Sequence, residues 1–184
     1  MLGNDVVDLN LAAKQNNFRR ANYLNKIFSP EEQQLVYDSD CADLMVWLIW
    51  SMKEAAYKIV NRNTRHRFYN PTSFRCAVQL DDLQATGSVD YGGDKFMTHS
   101  VITSDYVHTL SVEADLSIDQ CCVLQRHNSD DYALCFNRGN EGMQLQKDNS
   151  GLPEIFIGDI KTRHLASISH HGQFLFIAFL KAAY

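Results

Sequence analysis

One stretch of the sequence, Leu44 to Val60, constrains this chain more than any other. Its apolar residues fall at helical spacing in two stripes: Leu44, Leu48, Met52, Ala55 and Ile59 form one, and Val46, Ile49, Ala56 and Val60 form the second. A helix that is apolar on nearly every side is buried in its domain. Yet Lys53, Glu54 and Lys58 lie in the middle of the segment, and buried charges are costly unless they are paired, hydrogen-bonded or bound to a metal.

Glu54 and Lys58 are four residues apart and therefore share one face of this helix, one turn beyond Trp50. Two interpretations follow from the spacing alone. The pair is an ordinary ion pair at the edge of the helix, or it belongs to a site that needs both charges. The basic segment that follows, with Arg62, Arg65 and Arg67, has two interpretations as well: a solvated helix end, or a surface that attracts phosphates or an acidic partner.

Composition sets broader limits. With 184 residues, 45% hydrophobic and 21% charged, the chain predicts a globular protein of one sizeable domain or two small halves. A net charge of −5 argues against general nucleic-acid binding, and no apolar run is long enough to span a bilayer. The first residues do not form a signal peptide, and the odd count of five cysteines favours free thiols, so we expect a cytoplasmic protein.

The local patterns predict helices first and strands afterwards. A first strand is expected over Gly3–Leu9, a partly helical segment over Lys14–Lys26, a helix from the Ser29-Pro30-Glu31-Glu32 capping box to Tyr37, and the long helix from Asp40 or Cys41 to Asn61. A meander of four strands follows, over 74–80, 87–91, 95–103 and 106–114. Beyond a link at 115–120, we expect a short helix over 130–138 and strands over 143–147, 154–157, 165–170 and 174–180.

Four motifs together resemble those of the phosphopantetheinyl transferase superfamily. Trp50-Ser51-Met52-Lys53-Glu54-Ala55-x-x-Lys58 is similar to the central helix of that family, and Gly3-Asn4-Asp5 is similar to its Gly-x-Asp strand. Ser167-Ile168-Ser169-His170 is similar to its Ser-x-Ser-His motif, and Gly151-Leu152-Pro153 to the preceding Gly-x-Pro turn. The resemblance implies an enzyme that transfers phosphopantetheine from coenzyme A to a serine of an apo acyl or peptidyl carrier protein.

The family resemblance also implies an α+β fold of two halves, each with a small antiparallel sheet and a packed helix. Residues 1–116 resemble the second half of the Sfp-type enzymes, and residues 117–184 resemble the end of their first half. The motif order therefore suggests a circularly permuted pair of halves that form one compact unit. Small holo-acyl-carrier-protein synthases build each site between subunits of a trimer, but the additional meander favours a monomer with a complete site in one chain.

Three carboxylates are implied as metal ligands: Asp5, Glu54 and Asp8. Mg²⁺, with Mn²⁺ as an alternative, suits carboxylate and phosphate oxygens. Asp8 either assists through water or caps the next helix, and the sequence leaves both open. The resemblance assigns catalysis to Glu54 and Lys58. Either Glu54 or a water on the metal would accept the serine proton, and Lys58 would balance charge on the leaving group.

For coenzyme A, the implied binding residues are Lys53, Lys58, Ser169 and His170, whereas His171 has no clear role. Lys53 either binds phosphate or is simply solvated. The lysine found in the Gly-x-Pro turn of many relatives is Leu152 here. The basic segment that grips the 3′-phosphate in Sfp-type enzymes has little room in this chain, and Arg126 and Arg138, or the run from Arg62 to Arg67, are possible substitutes.

Two other functions stay open at this point. A catalytically inactive module could bind coenzyme A or a carrier protein, and a metal-dependent pyrophosphate or phosphodiester hydrolase could use the same two carboxylates. Partners outside these classes, nucleic acid and membranes included, are not expected.

Overall fold

The computed structural model describes residues 1–15, 17–67, 69–158 and 162–181. Five helices lie within these ranges: α1 (Leu9–Gln15), α2 (Tyr23–Ile27), α3 (Pro30–Asp38), α4 (Ala42–Thr64) and α5 (Tyr132–Gly139). The ten described strands are β1 (Leu2–Asp8), β2 (Arg75–Asp81), β3 (Gln84–Tyr91), β4 (Asp94–Ile102), β5 (Tyr106–Glu113), β6 (Cys121–His127), β7 (Met143–Lys147), β8 (Pro153–Ile157), β9 (Thr162–His171) and β10 (Phe174–Leu180).

The strands form two antiparallel sheets of five strands each. The first has the order β1-β5-β4-β3-β2, and the second has the order β6-β10-β9-β8-β7. In the first sheet, the four-strand meander is joined by β1, which pairs with β5 at its edge. Each sheet carries a helix, since α4 packs on the first and α5 packs on the second through Phe136. The structure confirms the predicted α+β class with two small antiparallel sheets.

The long helix α4 is the centre of the first core. Apart from the half-buried Leu44, both of its apolar stripes are buried, against the inner face of the first sheet on one side and against α1, α2 and α3 on the other. The helix ends where Arg65 takes up a left-handed conformation, with φ of 59°, and its N–H donates to Asn61. An amphipathic α3 begins at Ser29, where the predicted capping box with Glu32 is present.

The two sheets meet at β1. A small apolar cluster fills the junction, and it draws Leu2, Leu110 and Val112 from the first sheet and Cys121 and Ala178 from the second. Asn4 lies at the same junction, with its side-chain amide against the Phe176 carbonyl oxygen. Among the described residues, no helix combines the length and apolar character that crossing a membrane would need.

The segment over Lys14–Lys26 is helical in part, as predicted, because it holds the end of α1 and the short α2. The local predictions differ from the structure in two places. The strand β6 was not predicted, because buried and exposed residues alternate only weakly along it and Gln125, Arg126 and His127 are all exposed. The first strand starts and ends one residue earlier than expected, and α1 follows it directly. The remaining strands and helices are confirmed with bounds shifted by a few residues.

Candidate active site

The site begins with an unusually close approach of β1 to α4. A Cβ atom at Gly3 would overlap the carbonyl oxygen of Ala55, so only glycine allows this contact. Successive side chains of a strand point to opposite faces, and Asp5 therefore faces the helix as Gly3 does. On α4, the residue before Ala55 is Glu54. The backbone contact thus brings the carboxylates of Asp5 and Glu54 to the same region.

Lys58 joins the strand to the helix. Its Nζ donates to the backbone oxygen of Asn4 at 2.6 Å and to Oδ1 of Asp5 at 3.1 Å. The lysine side chain is 29% exposed and that of Asp5 is 14% exposed, so the pair lies at the rim of the protein rather than in its core. One of the three N–H groups of the ammonium has no hydrogen-bond partner among the described residues, and it is free to meet a ligand.

The two carboxyls have raised pKa values. Burial raises the pKa of Glu54 to about 7, the nearby charge of Asp5 raises it as well, and Lys58 and Tyr69 lower it in part. Burial also raises the pKa of Asp5, against the lowering effect of Lys58. Two carboxylates near a single lysine leave an excess of negative charge, and proton uptake is one way to relieve it. A divalent cation is the other.

Tyr69 is a member of this site that sequence analysis missed. Its ring contacts those of Trp50, Tyr57 and Phe74, at centroid distances of 6.0, 4.5 and 5.5 Å. Its hydroxyl is directed at Glu54, but it is buried without a hydrogen bond of normal geometry to a described residue. Burial raises the pKa of Tyr69 strongly, and the charges of Glu54 and Asp5 add to that effect, so the hydroxyl stays a proton donor. No motif or spacing marks this residue.

The donor set suits a hard cation, since Asp5 and Glu54 offer carboxylate oxygens that face one region. The raised pKa values of both carboxyl groups show that their negative charges lack full compensation. Within the described ranges, no group of three or more histidine, cysteine, aspartate or glutamate side chains is placed to hold a metal. Mg²⁺ commonly takes only one or two protein carboxylates, with water and substrate phosphates as its other ligands. The residues present therefore fit such an ion with two protein ligands.

Asp8 has the contacts of a helix cap. Its Oδ1 accepts from the N–H of Leu11 at 2.9 Å, in the first turn of α1. Its Oδ2 lies against Gly172 and accepts from the N–H of Gln173 at 3.5 Å. Asp8 is three positions from Asp5 on the strand and therefore points to the opposite face. Of the two roles that the sequence left open for Asp8, the geometry favours the cap over a contribution to the metal.

Lys53 is held in the core of the protein, although it is adjacent to Glu54 in sequence. It is fully buried, and its Nζ donates to Glu32 Oε2 at 2.6 Å, to the Ile27 oxygen at 3.0 Å and to the Pro71 oxygen at 2.8 Å. All three N–H groups of the ammonium are used. A lysine buried in this way reaches neither a phosphate nor solvent. The predicted phosphate contact and the alternative of a solvated lysine are therefore both wrong.

A cavity of about 300 Å³ lies between α4 and the β8–β9 region. It is lined by Leu2, Tyr57, Lys58, Asn61, Arg62, Arg67, Leu152, Pro153, Ser167 and Ile168, so both halves of the chain contribute. The three basic side chains have different surroundings. Arg62 is buried and donates to the oxygens of Pro153 and Ala166, whereas Arg67 is exposed. Lys58 and Arg67 are thus available to an anionic ligand in this cavity.

The Ser-x-Ser-His motif lies on β9, beside β1. Ser167 and Ser169 are buried on the face toward β1, and the Ser167 Oγ accepts from the N–H of Asn4 at 2.9 Å. His170 points to the opposite face, is exposed, and shares that face with Ile168, which lines the cavity. The structure shows no contact between His170 and the carboxylate pair. Ser169 is buried, which limits its predicted contact with coenzyme A.

The other candidates for the 3′-phosphate lie apart from this cavity. Arg65 pairs with Asp148 at 3.0 Å. Arg126 is on β6 and donates to a carbonyl oxygen of its own strand, and Arg138 is exposed on α5 beside a separate cavity. Of the proposed substitutes, only Arg62 and Arg67 line the cavity that also holds Lys58.

Comparison with known proteins identifies the family of this chain. The family model of the 4′-phosphopantetheinyl transferase superfamily matches residues 1–111, more than half of the chain, and the chain belongs to that superfamily. No curated protein matches the sequence. Among solved structures, the chain is similar to the holo-[acyl-carrier-protein] synthase of Thermotoga maritima, with 13% identity, 88% of this chain and 83% of that chain covered, and a TM-score of 0.44.

Membership gives the coarse function. Enzymes of this superfamily act on carrier proteins with coenzyme A as the phosphopantetheine donor, and they typically use a divalent metal. The matched residues 1–111 include Asp5, Glu54 and Lys58 but end before the cavity wall that β8 and β9 supply.

Proposed function

We propose that this protein is a Mg²⁺-dependent 4′-phosphopantetheinyl transferase of the holo-acyl-carrier-protein synthase type. The observation that carries the proposal is the placement of Asp5, Glu54 and Lys58 around the contact of β1 with α4, where Lys58 also lines a cavity with a further, exposed cation, Arg67. This set provides carboxylates for a cation and cations for phosphates, and the reaction needs both.

In the reaction, the serine Oγ of the carrier forms a bond to the phosphorus next to pantetheine. The bond from that phosphorus to the bridging oxygen breaks, and adenosine 3′,5′-bisphosphate leaves. The serine proton needs an acceptor, and we propose that Glu54 accepts it, directly or through a water.

Lys58 is positioned by two bonds to β1, so its remaining N–H group has a defined direction toward the cavity. We propose that it contacts the pyrophosphate and balances the charge that develops on the leaving phosphate. Because Arg67 reaches the same cavity from the segment after α4, we assign it to the nucleotide phosphates. His170 extends the same face of β9 and is proposed to contact the nucleotide, as the family resemblance implies.

Asp5 and Glu54 would hold the metal, Mg²⁺ or Mn²⁺. When bound, the ion would polarise the phosphate oxygens and neutralise their charge. Asp8 would act only indirectly, through its hold on the end of β1 and the start of α1.

The deciding experiment is incubation of the protein with coenzyme A, Mg²⁺ and an apo acyl carrier protein, followed by mass spectrometry of the carrier. Addition of phosphopantetheine to the carrier supports the proposal. Cleavage of coenzyme A without modification of the carrier would instead identify a hydrolase. Binding of coenzyme A without either reaction would identify an inactive module. Repeating the assay with a peptidyl carrier protein tests the carrier type.

We further propose that one chain holds a complete site, with residues 1–116 and 117–184 as halves of one unit in permuted order. Support comes from the cavity itself, since α4 and β9 of the same chain form its walls. Mixing Glu54→Ala protein with His170→Ala protein tests this, at a coenzyme A concentration at which each variant alone is inactive. A self-contained site leaves the mixture inactive, whereas a site shared between subunits restores part of the activity.

A further inference from the structure

Among the described residues, β1 pairs as a strand only with β5, so its other edge has no strand partner there. The N–H of Leu9 donates to Asp105, and the carbonyl oxygen of Met1 accepts from Glu113, so these two residues direct backbone groups to the β5 side. In an antiparallel pair, such residues alternate with residues whose backbone groups point away. Asn4, Val6 and Asp8 therefore direct their N–H groups to the edge next to β9.

Side chains of β9, rather than its backbone, meet this edge. The N–H of Asn4 donates to Ser167 Oγ at 2.9 Å, and the N–H of Asp8 donates to His171 Nδ1 at 2.8 Å. Both contacts have the same sequence separation, 163 residues, so the two strands run side by side in a fixed register. Ser169 lies between the two contact residues in this row, level with Val6.

The side chain of Asp8 also fixes the end of β1. The carboxylate of Asp8 lies so close to Gly172 that a Cβ atom there would overlap it, and Gly172 has φ of 56°. Asp8 thus contacts the residues before and after Gly172. The N–H of Asp8 donates to His171, and the carboxylate of Asp8 accepts from Gln173. This reciprocal contact fixes the last residue of the strand that carries Asp5.

We propose that His171 is a positioning residue of the active site. Its Nδ1 holds the end of β1 against the second half of the chain, and this keeps Asp5 at the correct place opposite Glu54. To accept at Nδ1, the imidazole must be neutral with its hydrogen on Nε2. The inference rests on the proposed function, since positioning of Asp5 matters only if Asp5 binds the metal.

The two adjacent histidines then have separate roles. His170 faces the exposed side of β9 and is assigned to the ligand, whereas His171 faces β1 and accepts from the N–H of Asp8. The pair His-His thus divides into one binding residue and one residue that secures the strand.

Three variants of His171 test this assignment. In His171→Asn, the amide oxygen occupies nearly the place of Nδ1, because both are attached to Cγ. In His171→Gln, the acceptor is displaced toward the place of Nε2, and in His171→Ala it is lost. The readouts are hydrogen exchange of the Asp8 amide by NMR and binding of Mn²⁺ by electron paramagnetic resonance. His170→Ala is the control.

We expect the Asp8 amide to exchange about 5-fold faster or more in the alanine and glutamine variants, the effect of one lost hydrogen bond, and at the wild-type rate in the asparagine variant. Mn²⁺ affinity should fall several-fold in the first two and recover in the third. His170→Ala should raise the KM for coenzyme A without changing either readout.

Wild-type exchange and Mn²⁺ binding in His171→Ala would overturn the proposal, as would an asparagine variant no better than the glutamine variant. If the alanine variant does not fold, the comparison of asparagine with glutamine still decides. Wild-type protein that binds no Mn²⁺ would refute the metal site and the positioning role together. Absence of transfer with intact Mn²⁺ binding would refute only the proposed reaction.

Discussion

Two lysines of α4, five residues apart, have nearly opposite surroundings. Lys53 is fully buried, and its three N–H groups are used by Glu32 and two carbonyl oxygens. Lys58 is 29% exposed, and it has two acceptors for three N–H groups. Each lysine pairs with a carboxylate, but only the second has bonding capacity left for a ligand. The presence of an ion pair therefore does not by itself indicate function. What indicates function is an N–H group of the pair that stays accessible and without an acceptor.

The carboxylates show the same contrast. Glu32 accepts from Lys53 and from the N–H groups of Ser29 and Cys76, which satisfies its charge inside the core. Glu54 has no such set of donors among the residues that the structure describes, and burial raises its pKa to about 7. One carboxylate links α3 to α4 and β2, while the other is held in an unfavourable state that a cation would relieve.

The largest expected effect concerns the functional pair. Asp5→Ala and Glu54→Ala should each reduce transfer by at least about 100-fold, since each removes a proposed metal ligand and the charge stabilisation that depends on it. Glu54→Gln should fail as well, because it keeps the shape but loses the charge. The measurement is the rate of carrier modification at saturating Mg²⁺, with circular dichroism to verify folding.

The exposed carboxylate Asp90, paired with Lys95 on the neighbouring strand, provides the matched control, and Asp90→Ala should transfer at the wild-type rate. Near-normal turnover of Asp5→Ala or Glu54→Ala would remove the metal-site hypothesis.

The structural pair should show its effect in stability. Lys53→Ala leaves Glu32 buried without its cation, and we expect a loss of about 3–5 kcal/mol in the free energy of unfolding. Lys58→Ala, on the same helix, should cost less than about 1 kcal/mol, because its side chain is partly exposed, but it should slow transfer strongly. Urea denaturation and the transfer assay together give both numbers.

If Lys58→Ala destabilises the fold as much as Lys53→Ala, with and without Mg²⁺ and coenzyme A, the two pairs are both structural. The contrast between them would then be wrong.

The pH dependence tests the unfavourable state of Glu54. Its pKa of about 7 in the folded protein lies above its ordinary value of 4.5, so the folded state holds the proton more tightly. The resulting stabilisation is complete below about pH 4.5 and is lost as the pH rises through about 7, by at most about 3 kcal/mol. Metal-free protein should therefore become less stable between pH 5 and 8, roughly the interval over which Glu54 ionises, while its affinity for Mn²⁺ should rise.

Glu54→Gln does not ionise and should lose most of this dependence. Urea denaturation across the pH range, with and without Mn²⁺, is the measurement. A wild-type profile that matches the glutamine variant would show that Glu54 is already ionised at low pH and is not poised for a cation.

The smallest effect concerns the outer cation of the cavity. Arg67→Ala should raise the KM for coenzyme A by about 5-fold, the scale of one exposed charged contact. Arg65→Ala is the matched control, because Arg65 pairs with Asp148 and does not line the cavity. Dephospho-coenzyme A as donor locates the contact: if Arg67 binds the 3′-phosphate, its loss should matter little with this donor. Equal effects of both variants would indicate general charge attraction.

Much of this architecture could be predicted from the sequence, because hydrophobic periodicity and turn residues mark α4, the meander and the last four strands. The strand β6 could not be predicted, because buried and exposed residues alternate only weakly along it. The motifs indicated that Asp5, Glu54 and Lys58 belong to one site, but they did not predict the ion pair of Lys58 with Asp5. The different fates of Lys53 and Lys58 were not, because Glu32 and Pro71 reach Lys53 only after α3 and the loop before β2 have folded onto the helix.

Tyr69 and His171 illustrate two further limits. Tyr69 follows a stretch of chain without periodicity, and nothing local indicates that its hydroxyl turns toward Glu54. For His171, the alternation of side chains along a strand was available from the sequence, and it places His171 with Ser167 and Ser169. What the sequence lacked was the neighbour, since the uncovered edge of β1 is defined only by the packing of the two sheets.

Gly3 has a consequence for how this site can change over time. Because the backbone of β1 touches that of α4 at Ala55, the gap between the two elements is set by main-chain atoms and leaves no room for a methyl group. Mutations that enlarge or shrink core side chains elsewhere therefore cannot adjust this gap by small steps. Directed evolution toward a larger metal ion or a different phosphopantetheine donor would have to act on the rotamers of Asp5 and Glu54 or on the cavity wall. The separation of β1 from α4 would stay constant.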